Sequence, residues 1–588
     1  MTMVALSDVS RSIKKFHEED EMLVLLDGLE QCVDILNSNC TSLLTKVKGL
    51  DWRLFSDEVA KAHVRFLLAL LASNLAHLDS VILVFVKKFL PDNVPLTTTV
   101  EQYDLQHGNT QDRIYTRAHI AVQELHEFSP MVSNRLLKAL SANYPFFRRP
   151  TVQIRDYNRN LLRVSEYLPY MKFELLSLVI EELSKLDTLY GRESYKELRN
   201  GKAGIFDLET DDMDSIRSKV TEAEEFSQKL DCCLSDLFVY LQNKCFDPAG
   251  NICHYEADAT YNLFCSIFQQ IVLPIRGCSC VPFIWLYLCS LNNVSITSEK
   301  KYIREYAHKF LELLWLCVTD PNIILPFRSN ASSYLASLAA RAKVFSSDDV
   351  ISWISVWVKW LHRYLKNQDD IKHQHRQQHS LFYEMCQAVF YVVVFRCKEI
   401  AATKNGASYL ILVAIVELTG FRALRALHLN RLVMCTLNPL KFCDERVATN
   451  FANVARLSSI LNFFRICSNY KIAFCHEVIE RNRRASEGIY RTMQRSEGFF
   501  PFDAYPLEEL SFFGVTLLIV KWLYCSSAHF ISGLYNEYDE GNESEDSSSG
   551  DVSDKEETTE EEEQLSSSLK NSFSYHNSPG FMQRSPRK

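Results

Sequence analysis

From about residue 22 to about residue 535, apolar side chains return every three or four residues, the interval of a helix with one buried face. Leu175, Leu178, Val179, Leu183 and Leu186 show the pattern most plainly. Glycine (17 residues) and proline (16) are scarce in a chain of 588. Each is roughly 3%, against the usual ~7% and ~5%. Few turn-formers combined with this period leave little from which to build a many-stranded sheet. The expected fold class is all-α.

The stretch 64–90 holds Asn74, His77 and Asp79 in its middle and reads as two packed helices. PDNVPLTTT (91–99) reads as a loop, and helical patterns resume over 113–142. Residues 156–187 form the clearest helix pair. Leu161, Leu162, Val164 and Tyr167 make one stripe, Pro169 marks the corner, and Leu175 to Leu186 make the second. Residues 191–225 are polar, acidic and weakly periodic, and are expected to be a mobile loop. Helices then restart near Gln228.

In SYLASLAARAKV (333–344), Leu335, Leu338, Ala339 and Ala342 share a face on which a neighbouring helix can approach closely. Ser346 and Asp349 fit the S-x-x-D capping pattern. The helix they open carries Trp353, Trp357, Trp360, Leu361 and Tyr364 on one side. A thin alanine helix followed by a thick tryptophan helix predicts an interlocking pair, and repeated pairs predict a HEAT-like α-solenoid. The expected organisation is an N-terminal helical-repeat region (1–190), an acidic mobile loop (191–225), a C-terminal helical-repeat region (226–535) and a disordered acidic, serine-rich tail (536–588).

The net charge of −9 is unevenly placed. Between Asn536 and Gln564, fourteen acidic residues face only Lys555, and the whole tail sums to −9. Residues 1–535 are therefore neutral overall, which argues against strong direct DNA binding. No run reaches the ~20 apolar residues of a membrane helix; SYLILVAIVEL (408–418) and FFGVTLLIVKWLYC (512–525) come nearest. The eighteen cysteines sit mostly in apolar runs, and the N-terminus lacks a signal-peptide core. They read as reduced, buried, intracellular thiols.

The chemistry of an enzyme is missing. GKAG (201–204) lacks the remainder of a phosphate loop. His373, His375 and His379 in HQHRQQHS read as a solvated linker, and the cysteines form no paired C-x-x-C knuckles. No catalytic residue, metal ligand or cofactor is expected.

Several segments, taken in order, resemble the RNA polymerase I-specific transcription initiation factor family, also called TIF-IA. They are RNLLRVSEYLP (159–169), SYLASLAARAKV, VKWLHRYLKNQD (358–369), FYEMCQAVFYVVVFR (382–396), LVMCTLNPLKFC (432–443), AFCHEVIERNRR (473–484) and FFPFD (499–503). The resemblance spans about residues 60 to 510. It implies a non-catalytic HEAT-repeat protein that binds free RNA polymerase I near its stalk and assembly subunits. It further implies a link to the core promoter factor on ribosomal DNA, control by kinases, a homodimer when free, and a place in the nucleus and nucleolus. Three apolar blocks, near 411–426, 457–470 and 511–532, interrupt the family pattern. They read either as added helix or as sequence foreign to the mature protein.

By the same resemblance, an exposed serine patch in the N-terminal half is expected to carry the phospho-switch. Ser129, Ser133 and Ser141 are the candidates, with Ser133 and Ser141 on one helix face. In the tail, Ser548 and Ser553 have an acidic residue at +3, and Ser578 and Ser585 precede proline. The rival expectation is a general helical-repeat adaptor, such as a nuclear transport receptor.

Overall fold

The computed structural model describes residues 19–36, 40–91, 94–95, 100–190, 212–291, 305–367, 378–401, 424, 426–458, 500–502, 528–531, 534 and 536. Among them helices predominate and no β-sheet forms. The chain divides into two compact units, residues 1–243 and 244–588.

Unit 1 contains α1 (Glu19–Gln31), α2 (Thr41–Lys48), α3 (Asp57–Ser73), α4 (Leu78–Lys87), α5 (Val100–Phe128), α6 (Ser133–Ala142), α7 (Thr151–Tyr167), α8 (Lys172–Tyr190) and most of α9 (Asp212–Cys245). The break expected between α3 and α4 is present. Asn74 is extended there, and its Oδ1 accepts a hydrogen bond from the Ala76 N–H at 2.9 Å, which ends one helix and starts a short 3-10 turn. The corner at Pro169 is present too, as the 3-10 turn Pro169–Met171 before α8. Leu175, Leu178, Val179, Leu183 and Leu186 are all buried.

Helix α7 is the centre of unit 1 and packs against α5 and α8. It buries polar groups as well as apolar ones, and each that follows has a partner. Tyr157 Oη donates to Leu140 O, and Asn160 Nδ2 donates to Phe89 O. Asn158 Nδ2 donates to Tyr144 Oη, and Arg155 holds Asp104 and Asp156.

Unit 2 contains α10 (His254–Ile267) running into a π-turn (Phe268–Val272), then α11 (Phe283–Ser290), α12 (Glu305–Thr319), α13 (Leu325–Arg341), α14 (Ser347–Lys366) and α15 (Ser380–Phe395). Shorter helices follow: α16 (Cys397–Ala401), α17 (Leu429–Val433), α18 (Pro439–Phe442), α19 (Glu445–Ser458) and α20 (Ala528–Ile531). Phe268 is an aromatic hub, with the rings of Trp285, Phe310 and Tyr334 centred 5.0–5.2 Å away. The capping box at α14 forms as its spacing predicts, with Ser346 and Asp349 each bonding the other's backbone N–H.

The structure departs from the sequence reading in five places. The 191–225 segment is not a loop throughout: residues 191–211 lie outside the described residues, and α9 begins at Asp212. Met213, Ile216 and Val220 do recur there at helical spacing, but they are too sparse among acidic and hydroxyl residues to stand out as a periodic face. The domain boundary moves accordingly. Residues 226–243 belong to unit 1, where Asp236 pairs with Arg159 and Lys229 Nζ bonds Phe147 O.

Helix α5 likewise begins at Val100 rather than near 113, because most of its first turns are exposed and polar. The alanine and tryptophan helices are not each other's main partners. Helix α13 is buried from Ser329 to Arg341 except at half-buried Ser333, and packs against α12 and α15. Helix α14 meets the same two helices through its large rings: Trp360 against Trp315 at 6.2 Å and Tyr364 stacked on Phe382 at 5.2 Å. Small residues let α13 approach its neighbours closely, whereas tryptophans hold α14 further out.

Finally, His379 is not in a solvated linker. It is buried, precedes α15, and shares a 2.8 Å hydrogen bond with Tyr364 Oη; His373 and His375 lie outside the described residues.

The runs 408–418 and 512–525, the GKAG turn and the tail beyond Asn536 also lie outside the described residues. So do the three interrupting blocks, apart from Leu424, Ala426, 457–458 and Ala528–Ile531.

Candidate interaction surface

Ser129 and Ser133 fall at the α5–α6 junction of unit 1, and Ser141 lies at the far end of α6. Helix α5 ends at Phe128, Ser129 follows, and a 3-10 turn (Pro130–Val132) leads into α6. Ser129 closes this turn from both sides. Its N–H donates to Leu125 O, and its carbonyl accepts from the Val132 N–H. Ser133 is the first residue of α6, with its Oγ 3.4 Å from His126 Nδ1. Ser141 is the penultimate residue, about 12 Å further along the helix axis. Ser141 is exposed, whereas Ser129 and Ser133 are half-buried.

Leu136 and Leu140 anchor α6, which packs on α4 and α8. Its outer side carries Asn134, Arg135 and Lys138, all exposed. Arg135 is held by both carboxylate oxygens of Asp79 at 2.8 and 2.9 Å. Lys138 lies three residues before Ser141 and so occupies the same face one turn away. Near its ends the surface also presents Met131 (89% exposed), Phe146 (61%), Arg148 and Arg149. This face is basic and partly apolar. The exposed apolar residues are signalled by no periodicity, because each lies at a turn.

The segments that carry the family resemblance do different work. RNLLRVSEYLP supplies the core of α7, and SYLASLAARAKV supplies the buried α13. From FFPFD, Phe500 stacks on Tyr391 at 3.9 Å, and Phe502 meets Phe283 and Tyr334 edge to face. AFCHEVIERNRR and the tail serines 548, 553, 578 and 585 lie outside the described residues.

Among the described residues no group of three or more His, Cys, Asp or Glu could hold a metal ion. None of the described helices is long and apolar enough to cross a membrane. Most of the described cysteines are buried. Burial pushes the Cys265 thiol up to about 11 and that of Cys232, beside Asp231, up to about 12.

The family model for "RNA polymerase I specific transcription initiation factor RRN3" matches residues 3–525. A Mus musculus RNA polymerase I-specific transcription initiation factor RRN3 is 27% identical over 565 residues, covering 90% of this chain and 77% of the relative. The Caenorhabditis elegans factor tif-1A is 23% identical over 551 residues, covering 86% and 77%. A crystal structure of RNA polymerase I transcription initiation factor Rrn3 shares the fold, with a TM-score of 0.58 at 20% identity, covering 89% of this chain and 90% of that one. A match that runs through both units, on a fold shared with a solved relative, makes this chain a member of the RNA polymerase I-specific transcription initiation factor RRN3 family.

Proposed function

We propose that this protein binds RNA polymerase I and bridges it to the core promoter factor on ribosomal DNA, in the nucleus and nucleolus, under control of phosphorylation. The observation that carries the reading is the family match through residues 3–525. The family is one of transcription initiation factors rather than a class of enzyme, so the work falls to the surface.

The α6 face is the proposed switch. Its exposed Lys138, Arg148 and Arg149 suit an acidic partner surface. A phosphate adds about −1.5 to −2 charges. On Ser141 it would offset Lys138 and repel that partner. On Ser133 it would sit at the N-terminus of α6, where negative charge is favourable to the helix. Modification there changes the surface without unfolding it. In this reading the tail serines 548, 553, 578 and 585 are further kinase sites, and the free protein forms a homodimer.

The test is capture of RNA polymerase I from nuclear extract by the tagged full chain. Ser133→Glu with Ser141→Glu should reduce capture, while glutamate at exposed Ser352 of α14 should not. Equal capture by all three chains would remove α6 from the interface.

A further inference from the structure

Where α13 ends, the backbone turns extended at Ala342 (φ −68, ψ 120) and leaves an open edge. A later part of the chain fills it. The Lys343 N–H donates to Leu534 O at 3.1 Å, and the Asn536 N–H donates to Arg341 O at 2.6 Å. These reciprocal bonds have the pattern of a wide pair in an antiparallel ladder. Leu534 and Asn536 thus pair with the backbone where α13 exits.

Two buried guanidinium groups read what lies on that edge. Arg341 and Arg396 are each 2% exposed. Arg341 Nη1 donates to the Asn536 carbonyl at 3.0 Å. In the amide orientation its neighbours dictate, the Asn536 side-chain oxygen accepts from both Nη atoms of Arg396, at 3.0 and 3.2 Å. Arg396 is itself held by Ala339 O, Ala342 O and Glu399, and Arg341 lies 4.7 Å over the Phe395 ring. The fork offered to position 536 is therefore pre-positioned, and it suits an amide or a carboxylate. The acidic run of the sequence begins at the next residue, Glu537.

We propose that residues 341–343, with Arg341 and Arg396, form a strand-addition slot for an extended peptide bearing an amide or carboxylate side chain. Leu534 and Asn536 occupy it in cis as a latch. Backbone pairing gives such a slot its grip, and the two arginines give it a preference at one position. Release of the latch uncovers two guanidinium groups and a free edge for an acidic peptide in trans.

Hydrogen exchange on the full chain tests this. In the wild type the Lys343 and Asn536 amides should be protected. Asn536→Ala should speed Lys343 exchange about tenfold or more, leaving Val350, bonded to Ser346 O inside α14, unchanged. Asn536→Asp should keep the protection. Excess synthetic peptide SGLYNEYDE (532–540) should restore protection to the Asn536→Ala chain and leave the wild type unaffected. An unprotected Lys343 in the wild type, or no response to Asn536→Ala, would overturn the latch. Failure of the peptide to restore protection would overturn the recognition by the slot. Loss of protection throughout 325–395 in Asn536→Ala would make this pairing a part of the core and would also overturn the latch.

Discussion

Arg155 and Asp156 are neighbours in the chain, both buried, and face each other through two hydrogen bonds of 2.9 and 2.7 Å. Arg155 also grips Asp104 with two bonds of 2.7 Å, and Tyr115 Oη donates to Asp156 at 2.7 Å. Truncating one member of such a cluster leaves a buried charge without its partner, at a cost of about 3–5 kcal/mol. Arg155→Met should therefore lower the opening free energy of α7 amides by that amount, and Arg155→Met with Asp156→Leu should cost less than the single change. A loss below about 1 kcal/mol for the single change would contradict the assignment.

Acid should weaken unit 1. His63 and His119 are buried, and burial, with Lys88 near the first and Arg163 near the second, holds both at about 3. In the unfolded chain each titrates near 6.5, as free imidazoles do. Between these values the unfolded state binds more protons. Their contribution is complete above about pH 6.5 and is lost as pH falls toward 3. From pH 7 to pH 5 each histidine costs about 2 kcal/mol. Trp52 Nε1 donates to His63 Nδ1 at 3.0 Å, a bond glutamine can also accept. His63→Gln should reduce the pH 7-to-5 loss in unit 1 by about that amount, and an unchanged pH slope would contradict it.

The Ser346–Asp349 box predicts a smaller, local effect. Ser346→Ala should destabilise α14 by about 1 kcal/mol, read as faster exchange in its first turn, and Ser346→Asp should restore most of it. An equal loss with both substitutions would mean that the cap contributes nothing specific.

Phe500 is 2% exposed and stacks on Tyr391 with the rings 10° from parallel. Phe500→Ala should cost unit 2 about 3–5 kcal/mol in thermal or denaturant unfolding, and Phe500→Leu clearly less. An alanine variant as stable as the wild type would detach FFPFD from the core.

These sites show which physical signals a sequence exposes. The Asn74 break, the Pro169 corner, the α8 stripe and the Ser346–Asp349 cap are written locally, in residues a few positions apart. The long polar opening of α9 is not, because Met213, Ile216 and Val220 are its few large apolar residues and their spacing is diluted by polar neighbours. Nor is burial of Arg155, Asp156 or His379 legible. Each is polar, and each is accommodated by partners supplied by the fold, such as Asp104 and Tyr364. The partnership of α13 with α12 and α15 rather than α14 was hidden for the same reason: spacing shows which face is buried but not which helix covers it. At α6, the placing of Ser133 and Ser141 in one helix follows from the local pattern, whereas the exposed Met131 and Phe146 emerge only from the turns that flank it.

In the proposed function the exterior of this helical protein, at α6, holds RNA polymerase I. Quantitative binding of purified RNA polymerase I to the full chain, compared with the Ser133→Glu/Ser141→Glu variant at equal folded concentration, tests it most directly. The account predicts a complex with the unmodified chain and at least a tenfold weaker one with the variant. No complex with the unmodified chain, or equal affinity for both, would contradict it.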